Sequence, residues 1–263
     1  MFVQKYLQRL GMSEVPGLSK EALDQLAYAH QLNIPFEDID IYDLHLPVPL
    51  DLTALEAKIL DRNRGGYCFE LNALLCALLQ RLGFRAWGIP ARVVDAGQLS
   101  DTVNHRANMV ELPEGRFVID VGLGGAMPPF AVPLDGTRCQ QRGEVYWVEP
   151  AEEFGAVWFW LKRLRGKGLL DDVDKDRAQV PVMLFGIEEM PDEECQRISD
   201  QLSQGSEAPF RFERLVNLRT PHGYRAITND TYICVENGVK ETLPVADNLY
   251  DLLWERFGID VNR

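Results

Sequence analysis

The spacing of hydrophobic positions changes early in the chain, and the change predicts the architecture. In the first part they recur three and four apart. Ala22, Leu23, Leu26, Ala27 and His30 share one face of a helix predicted over 19–31 and opened by Ser19. A second helix is predicted over 52–60, started by Asp51 or Thr53. A third covers 68–82, where Leu71, Leu74, Leu75, Leu78, Leu79 and Leu82 form a stripe and Gly83 supplies the stop. From residue 85 onward, Val, Ile and aromatic residues broken by Pro and Gly turns predict strands over 85–94, 107–112, 116–121, 144–148 and 156–164. Asp171-Asp172-Val173-Asp174-Lys175-Asp176 reads as a charged surface loop. After it come a helix over 192–204, a meander over 210–219, 223–228 and 231–236, and a terminal helix over 245–257. Helices, then strands, then a mixed tail predict an α+β fold.

Composition narrows this picture. A chain of 263 residues exceeds one simple core and predicts two or three packed subdomains. With 46% hydrophobic and 25% charged residues, it is not a disordered chain. Residues 1–10 lack the apolar run and small-residue cleavage site of a signal peptide. The longest apolar run, 73–79, is far shorter than the ~20 residues of a membrane span. The expectation is a cytoplasmic protein without a membrane partner. A net charge of −13 repels nucleic acid and anionic lipid, so neither is expected as a ligand. It also opposes a polyanionic ligand unless basic groups and backbone N–H donors gather locally. The five cysteines are odd in number and widely spaced, with no Cys-x-x-Cys, which argues against a disulfide framework or a metal site.

One segment concentrates chemistry: Arg64-Gly65-Gly66-Tyr67-Cys68-Phe69-Glu70. Two glycines permit unusual backbone dihedrals and close approach by another group. Cys68 falls where a helix begins, and free N–H groups there favour a thiolate and donate to an oxyanion. The bland alternative is a small buried cysteine after a turn. A nucleophilic cysteine needs a base, and the base needs an orienting group. Of the four histidines, His30 lies on an apolar helix face, His45 in an extended connector and His222 at a turn tip. His105 begins a strand. The returning strand carries Asp120 between Ile119 and Val121, a costly place for an acid without a partner such as Arg92 or a histidine. A hairpin turning through Glu114-Gly115 pairs 109 with 120. It puts His105 and Asp120 on one face but four residues out of step.

These residues resemble the arylamine N-acetyltransferase family. The resemblance runs through His30-Gln31-Leu32-Asn33-Ile34-Pro35-Phe36-Glu37-Asp38, Arg64 to Asn72, His105, Asp120-Val121-Gly122-Leu123-Gly124-Gly125, and Thr220-Pro221-His222-Gly223-Tyr224. It covers nearly the whole chain, whose length is similar to bacterial members. It implies an N-terminal helical bundle (1–84), a central β-barrel-like domain (85–189) and a C-terminal α/β lid (190–263), with a papain- or transglutaminase-like catalytic core. It implies catalytic Cys68, His105 and Asp120, pocket residues Phe36, Leu123 and Phe210, and backbone contacts from Gly124 and Gly125 to the acyl donor. The implied chemistry is ping-pong. Acetyl-CoA acetylates Cys68, and an arylamine, arylhydroxylamine or hydrazine then takes the acetyl group.

Leu123 stands where most members carry an aromatic, which removes a stacking surface. Arg64, Glu37 and Asn72 are implied to form an ion-pair network around the Cys68 turn. Lys162, Arg163, Arg165 and Lys167 form the densest basic cluster and read as a solvated face. Three other readings stay open: an amide synthase of the same fold, a transglutaminase-like cysteine hydrolase, and a binding module without catalysis.

Overall fold

Side-chain caps and glycines set the helix limits. In the computed structural model, which describes residues 1–125, 127–164, 179–245 and 248–261, α1 (Phe2–Arg9) buries Phe2, Tyr6 and Leu7. α2 (Lys20–Asn33) begins where the Ser19 hydroxyl accepts the Ala22 N–H at 3.2 Å. A single turn, α3 (Ile39–Tyr42), follows. α4 (Leu52–Leu55) is capped by Asp51 rather than Thr53 and widens into a π-helical segment, Glu56–Asp61. α5 (Cys68–Leu82) ends at Gly83 with φ of 99°, a left-handed stop. Its Leu71, Leu74, Leu75, Leu78 and Leu79 are fully buried. Each contributes about 1.5–3 kcal/mol of transfer free energy, as an upper bound. α6 (Asp192–Ser203) and α7 (Leu249–Phe257) complete the helices among the described residues.

The strands fall into two sheets. β1 (Phe36–Glu37) belongs to the smaller one. The larger contains β2 (Arg85–Asp95), β3 (Gln98–Leu99), β4 (His105–Leu112), β5 (Gly115–Ile119), β6 (Val132–Pro133), β7 (Cys139–Gln141), β8 (Glu144–Pro150), β9 (Trp158–Leu164) and β10 (Gln179–Gly186). Its order is β6-β5-β4-β2-β10-β9-β8-β7, with β3 beside β2. β6 comes back near β8, so the sheet is almost a closed barrel. Alternation sorts its side chains. Ala107, Met109 and Val118 join the barrel interior, while Val110, Phe117 and Ile119 join the core around α5. The smaller sheet runs β1-β11-β12-β13-β14, where β11 is Leu215–Thr220, β12 Gly223–Thr228, β13 Thr231–Glu236 and β14 Val239–Pro244. α7 covers it through Leu252, Leu253 and Phe257. The fold is α+β, as expected. Among the described residues no helix is long and apolar enough to cross a membrane.

Some elements differ from expectation. The strand expected over 210–219 starts at Leu215. Pro209–Arg211 form a 3-10 turn instead, because Pro209 opens it and Phe210 packs its ring against Tyr67. The last helix starts at Leu249, not 245. β10 escapes a periodicity reading because Pro181 sits at a register shift. β14 escapes it because every residue is exposed, so no alternation marks it. The loop expected at 171–176 lies outside the described residues, as do Arg165 and Lys167.

Candidate active site

The turn before Cys68 is built by close approach. The Gly66 N–H donates to Pro35 O at 3.3 Å, and the Glu37 N–H to Gly66 O at 2.9 Å. A Cβ on Gly65 would lie 2.1 Å from Pro35 O, and one on Gly66 would lie 2.7 Å from Glu70 Oε2. Neither glycine adopts a positive φ, so it is room, not unusual dihedrals, that the turn requires. Cys68 is then the first residue of the 15-residue α5 and is 3% exposed. The helix dipole favours negative charge at this end.

Charged side chains surround the turn. Glu70 Oε2 accepts the Tyr67 N–H at 3.0 Å, and its Oε1 accepts from Lys58 at 2.8 Å. Lys58 also reaches Asp40 at 2.9 Å. Arg64 donates to Glu37 at 2.9 and 3.1 Å and to Asp40 at 2.8 Å. Burial pushes the Glu70 carboxyl up to about 7, although Lys58 opposes this. Burial works against the Lys58 charge, but Glu70, Glu37 and Asp40 outweigh it and raise its pKa. Burial likewise pushes Asp38 up to about 8, against its bond from the Leu215 N–H. Lys58 and Asp40 carry no signal of their own in the sequence, and Glu70 stands out there only as the end of the Arg64–Glu70 segment. The legible signal was Glu70 three residues after the helix-capping position.

His105 and Asp120 meet directly. His105 Nε2 lies 2.6 Å from Asp120 Oδ2, and the two side chains are 2% and 1% exposed. The hairpin turns at Pro113-Glu114, so Leu112 pairs Gly115 and Asn108 pairs Ile119. That register leaves His105 and Asp120 two residues out of step rather than four, a diagonal that the side chains span. Arg92 is not the partner; its Nε donates to Ser100 O at 2.6 Å.

Asp120 Oδ1 accepts Asn72 Nδ2 at 2.9 Å and the Gly122 N–H at 2.8 Å. Burial opposes its charge, but His105, Asn72 and Gly122 hold it below the usual carboxylate range. Burial also disfavours the imidazolium. Asp120 overcomes that, Cys68 adds to it through hydrogen bonding and charge, and His105 is pushed up to about 10. With Nε2 committed to Asp120, Nδ1 is the nitrogen left for Cys68.

Asn72 lies one turn after Cys68. It does not join the ion pairs, as had been expected. Its Nδ2 also donates to Arg106 O at 2.6 Å, and its Oδ1 accepts the Val121 N–H at 3.1 Å. It ties α5 to both strand ends that carry His105 and Asp120. Gly122 closes the other side; a Cβ there would sit 2.8 Å from Cys68 Cα.

The pocket residues divide. Phe36 and Phe210 come together at 6.4 Å between ring centroids, and Tyr67 of the Cys68 turn meets Phe210 at 5.3 Å. Gly124 has φ of 75° and lies under the Phe36 ring, which a Cβ would approach to 3.2 Å. Gly125 accepts the Met127 N–H at 2.9 Å. Leu123 packs instead on the barrel core. Of the remaining histidines, His30 is buried, which drives it down to about 3. His45 Nδ1 lies 3.2 Å from Ile41 O, and His222 is an exposed turn residue. All five cysteines are free thiols, and burial raises the pKa of Cys76, Cys139 and Cys195.

The chain is similar to known proteins along nearly its whole length. The N-acetyltransferase family model matches residues 19–263. An arylamine N-acetyltransferase / N-hydroxyarylamine O-acetyltransferase of Salmonella typhimurium is 28% identical over 268 aligned positions, covering 99% of this chain and 90% of that one. A crystal structure of a Bacillus cereus arylamine N-acetyltransferase, described as having a unique Cys-His-Glu catalytic triad, superposes with a TM-score of 0.87 at 25% identity over 99% of both chains. The Mycobacterium marinum enzyme in complex with CoA gives a TM-score of 0.84 at 25% identity, over 98% of this chain and 92% of that one. With the family model spanning the chain almost from end to end, this protein belongs to the arylamine N-acetyltransferase family.

Proposed function

We propose that Cys68, His105 and Asp120 carry out acetyl-CoA-dependent N-acetylation of arylamines, arylhydroxylamines or hydrazines by a ping-pong mechanism. The observation that carries the reading is the buried 2.6 Å His105–Asp120 pair coupled to a cysteine at the start of α5. Cys68 Sγ attacks the thioester carbonyl. The oxyanion forms at the N-terminal end of α5, where N–H groups donate. CoA leaves and takes its proton from the His105 imidazolium. Acylation removes the negative charge on Cys68, one of the groups that raise the His105 pKa. His105 is then neutral and oriented by Asp120. It accepts a proton from the attacking amine as the Cys68 thiolate departs, which restores the starting ion pair.

Phe36 and Phe210, joined by Tyr67, supply aromatic walls for the acceptor, while Leu123, packed on the barrel core, adds no stacking ring to them. Gly124 and Gly125 bring backbone to the acyl donor. CoA affinity rests on pantetheine and backbone contacts, a reading supported by the pairing of Lys162 with Glu149 at 2.5 Å. The units 1–84, 85–189 and 190–263 act as carrier of the nucleophile, carrier of His105 and Asp120, and lid. Free thiols throughout favour the reducing cytoplasm as the place of work.

Intact mass after mixing with acetyl-CoA tests the proposal. One acetyl adduct is expected, lost in Cys68→Ala and discharged by an arylamine. An adduct discharged by water alone, with no transfer to amine, would favour a hydrolase and overturn it.

A further inference from the structure

Between β5 and β6 the chain leaves the sheet, and its buried carbonyls must find partners outside the ladder. Side chains from other parts of the chain supply them. From α2, Gln31 Nε2 donates to Asp120 O at 3.3 Å and to Pro128 O at 2.9 Å, so one buried amide bridges both ends of the loop. From β11, Arg219 Nη2 donates to Met127 O at 2.9 Å. Arg219 is only 7% exposed, and its Nη1 pairs with Glu144 at the start of β8 at 2.5 Å.

The same sheet grips the loop a second time. Phe36 pairs Asn217 in the β1–β11 ladder, and Arg219 lies two residues further along the same face. The Phe36 ring lies against Gly124, and the Arg219 guanidinium holds the carbonyl of Met127, whose N–H donates to Gly125 O. The triad does not share this grip. Asp120 is fixed by Asn72 and the Gly122 N–H, and Cys68 is fixed by its helix.

We propose that Arg219 is a positioning residue for the acyl-donor half-reaction: it holds the Gly124-Gly125 backbone where the acyl donor lies, without contributing to the reactivity of Cys68. This rests on the reading above that these glycines meet acetyl-CoA. Glu144 completes the device by clamping the guanidinium to the barrel, so the donor surface is set where the smaller sheet and the barrel meet.

The test compares two acyl donors on the whole protein. Acylation of Cys68 is timed by intact mass with acetyl-CoA and by nitrophenolate release with p-nitrophenyl acetate, which has no CoA body to place. In Arg219→Met, acylation by acetyl-CoA is expected to slow by about tenfold or more, chiefly through KM, while the small ester stays within about threefold. Arg219→Lys keeps the charge beside Glu144 and is expected to recover part of the loss. It also serves as the deciding variant if the Met variant does not fold. Gln31→Met, which frees Asp120 O as well, is expected to slow both donors.

Equal slowing of both donors in the Arg219 variants, or no slowing with acetyl-CoA, overturns the proposal. Wild-type protein that reacts with the ester but gains no acetyl group from acetyl-CoA overturns the underlying functional reading instead.

Discussion

The turn that carries Cys68 is held by charge, whereas the strand ends that carry His105 and Asp120 are held by neutral amides. Around the turn, Lys58 and Arg64 face Glu37, Asp40 and Glu70 with almost no exposure to solvent. Around His105, the other donors to the Asp120 carboxylate among the described residues are the Asn72 amide and the Gly122 N–H. A buried ion network fixes backbone strongly, but each added charge beside His105 would shift its proton affinity. Neutral donors orient Asp120 without adding charge. His105 is therefore raised by Asp120 and, less, by Cys68, against the opposing effect of burial.

The comparison breaks most visibly at its neutral side. Asp120→Asn keeps the shape but removes the charge that holds the imidazolium, and kcat is expected to fall on the order of 10³–10⁴-fold with the fold retained. Steady-state kinetics beside circular dichroism checks this. Near-normal kcat would mean that Asp120 only fills space. On the charged side the expected loss is of stability. Lys58→Met strands Glu70 and Asp40, and breaking a buried pair costs about 3–5 kcal/mol. Urea unfolding reads that cost, and protein that remains folded should still alkylate at Cys68. Asn72→Ala falls between the two. It leaves a buried carboxylate oxygen and the Val121 N–H short of partners, which costs about 1–3 kcal/mol. Its signature is a drop in kcat larger than its loss of stability predicts.

The same contrast decides what was legible in the sequence. α5 is strongly periodic, and a glycine turn before a cysteine at a helix start has a direct chemical meaning. Cys68 was readable as a candidate for that reason. His105 and Asp120 were readable as unusual polar residues at strand ends, but their meeting depended on a one-residue choice of turn, Pro113-Glu114 over Glu114-Gly115. Asn72 was visible and misplaced, because residues four apart on a helix share a face whatever partner they find there. Lys58 and Arg219 look like ordinary surface charges in a chain with 27 basic residues. Their burial comes with partners distant in the chain: Asp40 and Glu70 for Lys58, Glu144 and the Met127 carbonyl for Arg219.

Acidity gives the finest test. His105 is raised, so the pair's contribution to stability is full below its unfolded pKa of ~6.5 and is lost as pH climbs to about 10. Asp120 is lowered, so its contribution is present above ~3.9 and is lost as pH falls through its folded value. Glu70 runs the other way. Burial raises it to about 7, so the folded protein binds its proton more tightly than the unfolded chain. Its effect is a decline in stability as pH rises from ~4.3 to about 7. Glu70→Gln should flatten that part of a melting-temperature profile and leave the decline between ~6.5 and 10 in place, because the latter belongs to the neutral side of the site. If the substitution instead moves the alkaline decline, charge from the Cys68 turn reaches His105, and the two supports are not independent.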